Sequence, residues 1–294
     1  MKAAIFDKFG SAQEVLEIQN IEDPKINDNE VIVKLSKSGV NPSDVKKRAG
    51  AFSNLLDNGF VVPHSDGAGV IVDVGNEVSR DRIGERVWVY QAQYERNYGT
   101  AAELLSIDSS RAVKLPDNTS LETGACLGIP AMTAHRCIFA DGSVEGKNIL
   151  VTGGAGRVGF YAIQWGKLFG ATVITTASND YDKQACLDIG ADGVINHREE
   201  DWELSALDAN HGEKFDRLVD VEFGANLNNT LNIMKTGSTI ATYSSTQNPN
   251  PVIPFLKMMY MDLTLRFVIV YAMPEKAKND AIKDINNKLS SNDL

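Results

Sequence analysis

The apolar run Asn148-Ile149-Leu150-Val151-Thr152 leads into Gly154-Ala155-Gly156-Arg157-Val158-Gly159, and apolar residues at helical spacing follow as far as Phe169. Few folds accept a strand that becomes a helix through glycines at these three positions. The first permits a tight turn, the second lets backbone approach a pyrophosphate, and the third lets helix and strand pack closely. The helix start so formed presents unpaired N–H groups and a partial positive charge to an anion. An ordinary glycine-rich turn can show the same spacing, so context decides. A second strand at 171–176 follows, then a helix at 182–189 stopped by Gly190, a third strand at 193–195, and further strands at 217–221 and 238–243. Strands alternating with helices predict an α/β fold built on a doubly wound parallel Rossmann sheet.

Residues 1–120 read differently. Met1-Lys2-Ala3-Ala4-Ile5-Phe6 and Glu30-Val31-Ile32-Val33-Lys34-Leu35 have strand character, 67–75 is an apolar strand bounded by glycines, and Arg86-Val87-Trp88-Val89-Tyr90 is rich in β-branched and aromatic residues. Short strands with frequent turns predict a small curved or barrel-like sheet, with 91–98 as a loop bordering a pocket. The expected division is a β-rich substrate and catalytic domain at 1–120, a dinucleotide-binding domain at 121–270, and a helix at 271–294 leading back to the first. At 294 residues, 43% of them hydrophobic, the chain can supply both cores.

The net charge of −10 and the lack of a basic run argue against nucleic acid as the main partner. No run approaches the roughly 18 apolar residues of a membrane span, and the opening apolar stretch is too short for a signal sequence. A cytoplasmic, membrane-free protein is expected. Cys126, Cys137 and Cys186 are too few and scattered for a disulfide framework or a Cys-x-x-Cys site, and are expected as buried small apolar residues. His64, His135, His197 and His211 show no close pairing, so no local metal centre is expected.

A site for NAD usually ends its second strand in Asp or Glu, which binds the ribose hydroxyls. Here the strand ends Thr176-Ala177-Ser178-Asn179. Small polar residues leave room for a 2′-phosphate, and Ser178, Lys183, His197 and Arg198 are candidate donors to it, which favours NADPH. Asp180 and Asp182 are competing partners for a ribose, and a solvated helix start explains these charges equally well.

Gly39-Val40-Asn41-Pro42-Ser43-Asp44 with Arg48-x-Gly50, Pro63-His64-Ser65-Asp66-Gly67-Ala68-Gly69-Val70, Gly84-Glu85-Arg86-Val87, Gly128-Ile129-Pro130-Ala131-Met132-Thr133-Ala134 and Gly190-Ala191-Asp192-x-x-Ile195-Asn196-His197-Arg198-Glu199 are spread over most of the chain. In order and spacing this set resembles the zinc-free, zeta-crystallin-like quinone oxidoreductases of the medium-chain dehydrogenase/reductase superfamily. The resemblance implies a GroES-like N-terminal domain. Where zinc-dependent members carry ligands, this chain has Asn41, Ser65, Asp66 and Ile129, which offer neither thiolate nor imidazole for a three-ligand zinc site. Without a Lewis acid, tractable acceptors are those already electrophilic, such as quinones and α,β-unsaturated carbonyls.

Asn41 is the catalytic candidate, orienting nicotinamide or acceptor; the alternative is that its amide satisfies backbone at the turn before Pro42. The resemblance further implies that Lys46 and Thr133 lie near the cofactor. It places Gly156, Arg157 and Val158 at the pyrophosphate, where the loop spacing already puts Gly154 and Gly159, and the turn Tyr243-Ser244-Ser245 and a strand at 268–270, with Val268 and Val270, beside the nicotinamide half. A homodimer through the Rossmann sheet edge, or a homotetramer, is implied too. Lys46 and Phe52 depart from tyrosines common after the Asn-Pro motif. Relatives also continue beyond a helix like 274–289, so either the sequence is truncated or the first domain lacks closing elements. The expected function is metal-free hydride transfer from NADPH to a quinone. The alternatives are an enone or alkenal reductase and a non-catalytic NADPH-binding redox sensor or structural protein.

Overall fold

A computed structural model describes residues 1–294, which divide into two compact units: Met1–Ile129 with Ile282–Asp293, and Pro130–Ala281 with Leu294.

In the first unit, β1 (Lys2–Ile5) and β2 (Glu17–Asn20) form an antiparallel pair. Strands β3 (Glu30–Gly39), β4 (Asp66–Val74), β5 (Arg86–Val89), β6 (Leu104–Asp108) and β7 (Ala112–Lys114) form a five-stranded antiparallel sheet in the order β6-β3-β4-β5-β7. Its core follows the period of two: Val31 and Val33, Val87 and Val89, and Leu105 and Ile107 are buried with Ile71. Register shifts in the β3–β4 ladder bend the pair where a Cβ on Gly69 would stand 2.1 Å from the Lys34 carbonyl oxygen. The end of the helix Glu275–Ser290 belongs to this unit. Its Asn286 accepts a hydrogen bond from Trp88 Nε1 at 3.1 Å and donates to the Lys114 carbonyl at 3.0 Å.

The second unit holds six parallel strands, β8 (Asn148–Val151), β9 (Thr172–Ala177), β10 (Gly193–Asn196), β11 (Phe215–Asp220), β12 (Met234–Thr242) and β13 (Thr264–Phe267), in the order β10-β9-β8-β11-β12-β13. This is the doubly wound Rossmann order, whose direction of growth reverses between β8 and β11. Leu150, Ile174, Leu218 and Ile240 pack in one core with Trp202, Phe223, Leu227 and Leu231 of the flanking helices Trp202–Ala209 and Phe223–Ile233. Arg217, buried on β11, donates to the Cys137 carbonyl at 2.6 Å and to Asp141 at 3.2 Å, and Arg266 of β13 pairs with the same Asp141. Charged side chains therefore tie the helix Gly128–Phe139 to the sheet.

Three local expectations are corrected. The last strand is Thr264–Phe267 rather than 268–270, and Val270 opens a short 3-10 turn, Val270–Ala272. Arg266, facing Asp141, breaks the apolar pattern by which a strand is read, while the valine-rich segment runs on past the sheet. The helix expected at 182–189 begins at Asp180, because the Asn179 side chain accepts from Asp182 N at 2.9 Å and so sets the cap upstream. Cys137 and Cys186 are buried, but Cys126 is exposed, in the turn between helices Leu121–Gly124 and Gly128–Phe139.

Candidate functional site

In the second unit, the candidate residues collect at one end of the sheet. The glycine loop follows β8, Ser178 follows β9, His197 and Arg198 follow β10, Tyr243-Ser244-Ser245 follows β12, and Val268 and Val270 follow β13. All lie beyond the carboxyl ends of parallel strands, where open α/β sheets bind ligands. Thr133 differs: it is buried within the helix Gly128–Phe139.

The loop is shaped by close backbone packing. Gly154 N donates to the Thr176 carbonyl at 2.9 Å and Gly153 N to Thr176 Oγ1 at 2.8 Å, so the loop hangs from the end of β9. A Cβ on Gly154 would lie 2.1 Å from Thr175 Oγ1, and one on Gly159 would lie 2.3 Å from the Gly153 carbonyl oxygen. Gly156 is the N-cap of the helix Arg157–Leu168 and has no side chain to occupy the first-turn N–H groups. Arg157 is exposed and Val158 half-buried beside that helix start, a cradle suited to a pyrophosphate.

Thr152 Oγ1 donates to Asp220 Oδ1 at 2.6 Å and accepts from Val221 N at 3.0 Å, which locks β8 to β11 at the switch point. Burial raises the Asp220 pKa, against hydrogen bonds from Thr152, Asn226 and Glu222 N. The Tyr243–Ser245 turn is tied to the helix after β11: Phe223 N donates to the Ser244 carbonyl at 3.1 Å and Gly224 N to Ser245 Oγ at 2.9 Å. In the sequence Thr152, Thr176 and Asp220 read only as strand residues and not as site residues, although each is a polar residue interrupting an apolar run near the carboxyl end of its strand.

Beyond β9 and β10 lies a cleft of about 290 Å³ lined by Asn179, Asp180, Lys183, Asn196, Glu199 and Ser205 among others. Of the four 2′-phosphate candidates, Lys183 lines this cleft. Ser178 is half-buried, one residue after the lining Ala177, and the exposed His197 and Arg198 follow the lining Asn196.

The other candidates belong to the first unit. Asn41 is the N-cap of the helix Pro42–Arg48 and forms a reciprocal capping box with Asp44, whose Oδ2 accepts from Asn41 N at 2.8 Å. Asn41 Nδ2 donates to Asp66 Oδ2 at 2.8 Å, and Ile129 N donates to the same oxygen at 2.9 Å. The four positions singled out for their lack of metal ligands thus include three that bond to one another, and Ser65, fully buried, adjoins them. Lys47, buried beside them, donates to Gln93 Oε1 at 2.7 Å, while Lys46 points outward from the same helix and is exposed. Burial pushes the Asp66 carboxyl up to about 7 and that of Asp44 up to about 6, and lowers the Lys47 ammonium. No three His, Cys, Asp or Glu side chains are gathered to hold a metal ion.

Comparison with known proteins agrees with this architecture. Residues 27–117 match the alcohol dehydrogenase GroES-like domain and residues 158–287 the zinc-binding dehydrogenase family. A quinone oxidoreductase of Pongo abelii is 32% identical over 250 residues, covering 83% of this chain and 73% of that protein. The 2-methylene-furan-3-one reductase of Solanum lycopersicum is 32% identical over 209 residues, covering 69% of this chain and 54% of that protein. The fold matches that of the Escherichia coli quinone oxidoreductase solved with NADPH, with a TM-score of 0.85 at 22% identity over 100% of this chain and 89% of that one. With a GroES-like first domain, a Rossmann second domain and relatives above 30% identity over most of its length, the chain belongs to the zeta-crystallin-like quinone oxidoreductases of the medium-chain dehydrogenase/reductase superfamily.

Proposed function

We propose that this protein transfers a hydride from NADPH to a quinone, without a metal. The observation that carries the reading is the glycine loop at the switch point of the parallel sheet, with an uncapped helix start facing the ligand side. Bound NADPH would supply the hydride. Arg157 and Val158, at the start of their helix, would seat the pyrophosphate, with Gly154, Gly156 and Gly159 keeping the backbone close. The turn at Tyr243-Ser244-Ser245, with Val268 and Val270, would border the nicotinamide half. Asn41 would orient the reacting partners, and Lys46 and Thr133 would each lie close to the cofactor. With an amide at Asn41 and neither thiolate nor imidazole at Ser65, Asp66 and Ile129, these positions suit an acceptor that is electrophilic by itself. Names of the curated relatives support the quinone, and the tomato relative supports a second reading, reduction of an enone or alkenal double bond. No helix is long and apolar enough to cross a membrane, and the setting proposed is cytoplasmic.

The test is oxidation of NADPH and NADH by purified protein with a panel of quinones and enones, followed by nicotinamide absorbance. NADPH with quinones should give the highest kcat/KM. Lys183→Ala should weaken NADPH binding at least about tenfold and leave NADH unchanged, since one charge-assisted hydrogen bond contributes about 1.5–3 kcal/mol. Better rates with enones would select the second reading, equal rates with NADH would refute the 2′-phosphate assignment, and tight NADPH binding without turnover would mean a non-catalytic redox sensor or structural protein.

The homodimer is proposed through β13, which pairs only with β12 and so leaves one edge open. Phe267 and Ile269 at this edge are 69% and 58% exposed, and Phe255 and Tyr260 of the preceding helix are 67% and 80% exposed. So much apolar surface beside an open edge suits a second copy. Phe267→Lys is expected to convert the dimer to a monomer by light scattering; an unchanged mass would place the interface elsewhere.

A further inference from the structure

We infer that Asp66 is a positioning residue: its carboxylate holds the Asn41 amide in one orientation and thereby determines which Asn41 hydrogen meets the reacting partner. The inference rests on the role proposed for Asn41. Asp66 opens β4 and is anchored at both ends. Its main-chain oxygen accepts from Thr100 Oγ1 at 2.6 Å, and its Oδ2 accepts from both Asn41 Nδ2 and Ile129 N. Asp66 Oδ2 already accepts from Ile129 N, which leaves it the accepting oxygen of the carboxyl, so turning the Asn41 amide over would set its Oδ1 against Asp66 Oδ2. The amide therefore keeps one Nδ2–H on Asp66 and offers the other. Asp44 fixes the backbone of Asn41 through the bond to Asn41 N, so one buried carboxyl holds the main chain of this residue and the other its side-chain amide.

This arrangement is costly. Asp66 Oδ1 is buried without a partner, and a Cβ on Gly128 would fall 2.2 Å from it, so the carboxylate fits only because residue 128 has no side chain. A buried acceptor left unpaired destabilises the fold. Local rules broken at a stability cost mark functional positions, and here the cost falls on the group that orients Asn41.

Four variants test this, with turnover measured under the conditions above. Asp66→Leu keeps the branched outline of the side chain and removes the acceptor. It should lower kcat at least tenfold while leaving the NADPH dissociation constant within threefold, because the phosphate loop belongs to the other unit. Asp66→Asn, whose Oδ1 can still accept both bonds, should recover most of kcat. Gly128→Ala, which displaces the carboxylate without changing it, should reproduce the Asp66→Leu kinetics; NADPH binding checks that each variant is folded. A folded Asp66→Leu protein with kcat within twofold of the parent overturns the inference, as does an Asp66→Asn protein no better than Asp66→Leu. Asn41→Ala separates the two levels: if it leaves kcat unchanged, the Asn41 role itself fails; if it lowers kcat while Asp66→Leu does not, only the positioning role fails.

Discussion

Gly159→Ala is expected to weaken NADPH binding by at least about a hundredfold with little loss of fold stability. The new methyl would stand 2.3 Å from the Gly153 carbonyl oxygen and 2.9 Å from Gly154 Cα, both backbone atoms, so no side chain can swing aside and the loop itself must move. A displaced loop loses aligned N–H contacts to the pyrophosphate. Two charge-assisted hydrogen bonds at about 1.5 kcal/mol each amount to about 3 kcal/mol, which is about a hundredfold in affinity. The helix itself accepts the change, since alanine is the better helix former. Binding and stability should therefore separate: calorimetric titration shows the loss of affinity while thermal unfolding shifts by only a few degrees. A dissociation constant within threefold of the parent would mean that the loop does not seat the cofactor.

The Rossmann half was legible because its determinants are local. An apolar strand, three glycines and a helix start lie within a few turns of each other, and parallel strands buried on both faces read as continuous apolar runs. Thr264–Phe267 escaped because its place in the sheet is decided by Arg266 meeting Asp141, a partner more than a hundred residues away in sequence. The helix Gly128–Phe139 was likewise not read as a helix, since glycine and proline stand in its first turn and its buried face is set by Arg217 beneath it.

The candidate site was legible as residue types but not as a network. Asn41, Ser65, Asp66 and Ile129 stood out by what they lack as ligands. That Asn41 and Ile129 converge on one oxygen of Asp66 depends on three segments of the first unit meeting, which spacing cannot reveal. One signal was available: Asn41 followed three residues later by Asp44 is the pattern of a capping box, and it announces that the Asn41 backbone is already held.

The same network makes stability depend on pH in a direction unusual for a carboxylate. Burial raises the folded pKa of Asp66 to about 7 from an ordinary 3.8, so the folded protein binds this proton more tightly than the unfolded chain. Its contribution to stability is fully present below about pH 4, falls by about 1.4 kcal/mol per pH unit as pH rises, and is lost above about pH 7. Asp66→Asn removes the ionisation and keeps the acceptor. The variant should therefore gain on the parent by about 3 kcal/mol between pH 5 and pH 8, two units of which lie below the folded pKa. Asp44, held near 6 by the same burial, titrates in the same window, and with its charged neighbour gone its own pKa should fall. Urea unfolding of both proteins at pH 5, 6, 7 and 8 measures the difference directly. A stability difference that is flat across this range would show that Asp66 is ionised in the folded protein at pH 5, and that its two N–H donors outweigh the burial of its charge.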